Sequence, residues 1–157
     1  MRIDRFTNSL QMALADAQSM AVGKNHAAIE PAHLLLATLN QDSSSIRPIL
    51  EQTDGNLAKL RASLKEKIDH CAVLQQATGE VAMSPALAKL LNLADKYAQD
   101  SGDQYIATEA VLGAAMLSGS ELQPLLEAAG YDANKIQQAI TNVRGGETVS
   151  SAEAEGN

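Results

Sequence analysis

Aromatic side chains are scarce in this chain: one Phe, three Tyr and no Trp among 157 residues. A core short of aromatic and β-branched residues packs poorly as stacked sheets and well as helix on helix, so the expectation is an all-α fold. Cysteine is scarcer still. Cys71 alone cannot close an internal disulfide, which points to a reducing, cytoplasmic setting and to a small half-buried residue at a helix end. Positive charge is also in deficit, with 12 Lys and Arg against 19 Asp and Glu and a net charge of −7. That balance argues against nucleic acid, whose binding rests on basic surfaces, and against anionic membranes. No apolar run is long enough to span a bilayer, and the charged opening MRIDRFTNSLQMALADAQ does not read as a signal peptide.

Recognisable catalytic patterns are missing as well. The chain contains no GxxxxGK[ST] loop for a triphosphate and no glycine fingerprint after a strand, and Gly145-Gly146 stands without a phosphate-binding context. His26, His33 and His70 show neither the i, i+4 spacing nor the CxxC neighbour of a metal site, so no metal is expected and His33 reads as a helix residue bonded to a neighbour. His70 and Cys71 are adjacent, and adjacent helical side chains diverge, which removes a Cys–His nucleophile. Asp103 and Glu109 bracket the loop Gln104 to Thr108. A carboxylate pair is in principle an acid–base couple, but no pocket accompanies it. Recognition at the rim of an apolar patch is the better use, and the chain reads as a binding module rather than an enzyme.

What the chain does have is folding capacity and an internal repeat. Hydrophobic residues make up 45 % and charged ones 20 %, enough for a packed core and too apolar for wholesale disorder. Leu10, Leu14, Ala17 and Ala21 step at helical spacing and recur 77 positions later as Leu87, Leu91, Ala94 and Ala98. Ile29 maps onto Ile106 at the same offset. After one deletion Pro48, Glu51 and Asn56 pair with Pro124, Glu127 and Asp132. Two pseudo-symmetric four-helix repeats in one globular domain, 1–144, follow from this. Repeat one covers about 1–70, a surface linker 71–83, repeat two about 84–144, and residues 145–157 form a flexible acidic tail or interdomain linker.

Within each repeat the first helix is expected over 8–23 and 84–101, with Ser84-Pro85 as start signal and Gly23 and Gly102 as stops. Second helices follow Pro31 and Thr108, the latter read as a cap with Glu109 in the first turn. Third helices are expected near Ser45 and Ser120 and fourth ones at Asn56 and Asp132. Met12, Met20, Met83 and Met116 suit irregular cores and promiscuous surfaces alike; their helical spacing favours core. Leu90 and Leu93 widen the apolar arc of the helix over 87–98, as a broader core face or an exposed groove.

The opening MRIDRFTNSLQMALADAQSMA, the segment IEPAHLLLATLNQ and RGGE near the end, together with the repeat, resemble the N-terminal (Clp N) domains of ClpB-type AAA+ protein disaggregases. The resemblance runs from Met1 to about Glu147. It implies a stress-response chaperone domain that binds unfolded or aggregated polypeptide and is tethered to a hexameric AAA+ ring of the same longer protein, working with the DnaK system. ATP and magnesium would belong to that ring, leaving this domain without a cofactor and, in isolation, a monomer. Thr7, Asp103 and Glu109 match polar positions that matter in that family. The resemblance also places an apolar groove on Leu90, Leu93, Ala94, Ala110 and Val111, although the family commonly carries a larger apolar residue than Ala110. The alternative is an adaptor-docking domain of the ClpA or ClpC type, in which a Thr-Glu pair opens the second helix of each repeat. Here Thr108-Glu109 supplies it once, and Pro31-Ala32 stands in the first repeat.

Overall fold

A computed structural model describes residues 3–42, 44–76, 79–117 and 119–154, and among these every regular element is helical. A 3-10 turn, Ile3–Arg5, precedes the first repeat, α1 (Asn8–Gly23), α2 (Pro31–Leu39), α3 (Ile46–Glu51) and α4 (Leu57–Asp69). The second repeat contains α5 (Pro85–Asp100), α6 (Thr108–Ala115), α7 (Gln123–Ala128) and α8 (Ala133–Arg144).

Side-chain caps fix most of the helix starts. Thr7 Oγ1 accepts from the Leu10 N–H at 3.2 Å, and its counterpart Ser84 Oγ accepts from Leu87 at 3.0 Å. Asn56 accepts from Lys59 and Asp132 from Lys135 at 3.0 and 3.1 Å. Each cap satisfies an amide left over by the helix and is worth about 1 kcal/mol. Two expected starts shift. Ala107, not Thr108, is the N-cap of α6, which leaves Thr108 inside the first turn and fully buried. Ser120 closes a turn onto the Leu122 N–H, so α7 begins at Gln123. At the end of α1 the left-handed residue is Asn25 (φ 56°) rather than Gly23, whereas Gly102 (φ 77°) does end α5.

Every residue of α2 and of α6 is buried, as their nearly unbroken apolar sequences require. These two helices form the centre. α1 covers α2 and α5 covers α6, while α3 packs on α8 of the opposite repeat and α4 on α7. Gly55 fits where these halves meet, because a Cβ there would lie 2.2 Å from the Tyr131 ring.

The repeats also exchange edges. Phe6 pairs with Ile106 and Met83 with Ile29. Thr7 N–H donates to the Ile106 carbonyl at 3.0 Å and Ile106 N–H to Arg5 at 2.8 Å. In the mirror arrangement Ser84 N–H donates to Ile29 at 3.0 Å and Ile29 N–H to Ala82 at 2.9 Å. The segment that leads into each repeat is therefore hydrogen-bonded to the other repeat. For that reason the stretch 71–83 is more than a surface crossing, although residues 77 and 78 lie outside the described ones.

The segment after α8 departs from the expected mobile tail. Gly145 (φ 61°) and Gly146 (φ 89°) turn the chain back in conformations that disfavour side chains, and Glu147–Ala152 returns to the body. Val149 is buried there, and the Asn8 N–H donates to the Ala152 carbonyl at 2.8 Å. Residues 155–157 lie outside the described ones.

Candidate functional site

The loop between α5 and α6 and the end of α8 assemble a buried polar cluster. Gly102 lets the chain leave α5 so that Asp103 turns inward, and the Asp103 side chain has no exposed surface. Glu109 sits in the first turn of α6, 5 % exposed. Both carboxylates converge on Arg144, the last residue of α8. Its Nη2 lies 2.9 Å from Asp103 Oδ2, and its Nε donates to Glu109 Oε1 at 3.1 Å. Ser45 Oγ, from the first repeat, donates to Glu109 Oε2 at 2.9 Å. Burial works against the Arg144 charge, yet the fields of Glu109 and then Asp103 outweigh it and hold the guanidinium above its ordinary value. Each carboxylate is paired with this permanent cation, and the cluster acts as a clamp joining α8 to the α5–α6 loop.

Thr7 is wholly buried and caps α1. Leu90 is 3 % exposed, and Ala94, Ala110 and Val111 have no exposed surface, so these four lie in the packing between α5 and α6. Leu93 stands apart. It is half-buried and borders a cleft of about 240 Å³ lined by Ala86, Lys89, Leu90, Gly119, Ser120 and Glu121. The helical arc that joined Leu90 and Leu93 in sequence thus borders one cleft, with Leu90 buried and Leu93 half-buried. α5 approaches α6 closely at Gly113, where a Cβ would lie 2.6 Å from the Tyr97 ring.

Sequence reasoning missed a second apolar cleft, between α1 and the inter-repeat segment, lined by Ile3, Leu14, Ile29, Val81 and Met83. Ile3 is 52 % exposed at its rim, and Met12, expected in the core, is 63 % exposed on α1. It also missed Arg144, for which RGGE carried only a family likeness, and Ser45.

A third cluster lies in the first repeat. His26 and His33 are buried, and with half-buried Cys71 they place one ligand-type atom each within 4.8 Å of the others. The hydrogen bonds do not suit a metal. The Glu30 N–H donates to His33 Nδ1 at 2.9 Å, so the His33 proton sits on Nε2, which donates to His26 Nδ1 at 2.9 Å. Freeing His33 Nε2 for a metal moves its proton to Nδ1, against another N–H, whereas a metal-bound histidine needs an acceptor there. Burial pushes the Cys71 thiol up, away from the thiolate a metal requires.

Comparison with known proteins agrees with the repeat architecture. The family described as the Clp repeat (R) N-terminal domain matches residues 5–129. Chaperone protein ClpB of Pseudomonas putida is 49 % identical over 155 residues, 99 % of this chain. The chain spans only 18 % of that protein's length. The Hsp104 N-terminal domain from Candida albicans superposes with a TM-score of 0.83 at 17 % identity, covering 96 % of this chain and 98 % of that one. A complex of a ClpV N-domain with VipB peptide gives 0.71 at 18 % identity, covering 95 % and 92 %. At such identities these two structures establish the shared fold. Among the described residues no helix is long and apolar enough to cross a membrane.

Proposed function

The chain belongs to the Clp repeat N-terminal domain family, and we propose on that premise that it is the polypeptide-recognition domain of a ClpB-type disaggregating chaperone. It binds unfolded or aggregated chains and does no chemistry itself. ATP and magnesium act in the remainder of the longer protein, which cooperates with the DnaK system. The observation that carries this reading is Leu93, a partly buried apolar side chain on an otherwise buried helix arc, at the edge of the Lys89–Glu121 cleft. A related fold accepts a peptide in the ClpV–VipB complex, which supports polypeptide as the ligand class. Each contact is weak, and several tethered copies in a ring supply the useful affinity. The net charge of −7 biases the surface toward basic, apolar segments.

The test is a backbone NMR titration with reduced, unfolded casein. Shifts clustered at Ala86–Leu93 and Gly119–Glu121 support the reading. A folded domain that shows no shift anywhere at millimolar casein overturns it.

A further inference from the structure

The returning segment Glu147–Ala152 is held mainly by its backbone. Val149 N–H donates to Asp103 Oδ1 at 3.0 Å, and the Val149 carbonyl accepts from both Gln104 and Tyr105, at 2.8 and 3.2 Å. Three residues on, the Ala152 carbonyl accepts from the Asn8 N–H at the start of α1, at 2.8 Å. At the first of these anchors Val149 is 5 % exposed, whereas Thr148 and Ser150 on either side are exposed. A strand held through main-chain atoms, with one pocket for alternate side chains, is a general mode of extended-peptide recognition.

The first repeat shows why this segment is replaceable. There the segment after α4 docks comparably, with Ala27 N–H donating to Ala72 at 2.8 Å and Leu74 N–H to the Asn25 carbonyl at 2.7 Å. That segment is fixed at both ends, because it continues into the Ala82–Ser84 pairing with Ile29. Its Val73 fills no pocket and is 62 % exposed. The second copy has the pocket, and it is tethered to the body on its N-terminal side by two glycines in left-handed conformations. Glycine pairs of that kind swing at low cost.

We propose that the cleft between the α5–α6 loop and the start of α1 is a seat for an extended polypeptide strand. Glu147–Ala152 occupies it in cis, as a tethered competitor of an incoming strand. The seat selects a small β-branched residue at the Val149 position, 5 % exposed, and rejects an acidic one, whose charge would be buried without a partner. This rests on the reading of the domain as a polypeptide receptor and adds a place and a mode of binding separate from the Leu93 cleft.

Three forms of the chain test it: native, Val149→Asp, and a form ending at Gly146, which keeps α8 whole because that helix ends at Arg144. The probe is a peptide of residues 145–154, followed at the amides of Asn8, Gln104 and Tyr105. In both altered forms these three amides shift, and the peptide binds about tenfold or more tighter than to the native chain, where the cis segment competes. Equal affinity for all three forms, or amides unmoved by Val149→Asp, overturns the proposal. Unfolded casein then separates it from the broader reading. In the form ending at Gly146, casein that shifts the Leu93 cleft but not these three amides overturns the seat and spares the receptor. Casein that shifts neither overturns both.

Discussion

His33 Nε2 lies 2.9 Å from His26 Nδ1, and with the Glu30 N–H on His33 Nδ1 the pair accepts only one arrangement of protons. A further proton on His33 sets N–H against N–H. Burial, then His26 and Lys24, lower His33 from 6.5 to about 4; burial and Lys24 lower His26, with Asp69 opposing. The fold prefers both rings neutral while the unfolded chain titrates near 6.5, so this stability is complete above that pH. It is lost as the pH falls toward about 4. Urea midpoints should show a loss on the order of 3 kcal/mol between pH 7 and pH 4. His33→Ala should be less stable at pH 7 and lose less on acidification.

Arg144→Met leaves two buried carboxylates without their cation and should cost about 3 kcal/mol in urea unfolding. Adding Asp103→Asn and Glu109→Gln removes the stranded charges and should recover much of that loss. A triple variant no more stable than Arg144→Met would show that the guanidinium matters through packing instead.

Gly55→Ala drives a methyl group into the Tyr131 ring, which must move because the alternative is a 2.2 Å contact. The expected cost is about 1–3 kcal/mol in thermal or urea unfolding, as for overpacked cores. Combining Gly55→Ala with Tyr131→Leu should cost less than the sum of the single changes.

Leu93→Ser should lower affinity for unfolded polypeptide by about threefold to tenfold while costing only about 1 kcal/mol of stability, because the side chain packs on the core without being fully buried. Val111→Ser, at a position without exposed surface, should instead unfold the domain in part. Circular dichroism and the titration together separate the two effects.

Local chemistry made much of the fold legible. The helical spacing from Leu10 and Leu87 located α1 and α5, and the Ser84, Asn56 and Asp132 caps set helix starts through bonds only three residues long. The start expected near Ser120 moves to Gln123 because the Ser120 hydroxyl serves a turn two residues long just before the helix. The site was less legible. Arg144 reaches partners 35 and 41 residues away, and only the crossing of α8 over α6 brings them together. Leu90 and Leu93 share one helical arc and border one cleft, and only the packing around them makes Leu90 buried and Leu93 half-buried. The likeness to Clp N domains supplied the identity of polar positions but not their burial.

The exchanged edges make one body out of two halves. The edge at Arg5 and Thr7 belongs by sequence to the first repeat and by hydrogen bonding to the second, and the edge at Ala82 and Ser84 the reverse. A protease that cut the chain near Gly79 would therefore release nothing: each fragment would still carry the strand that completes its partner, and the nicked halves would stay clasped. Expressed alone, one half would seek the missing edge in another copy of itself.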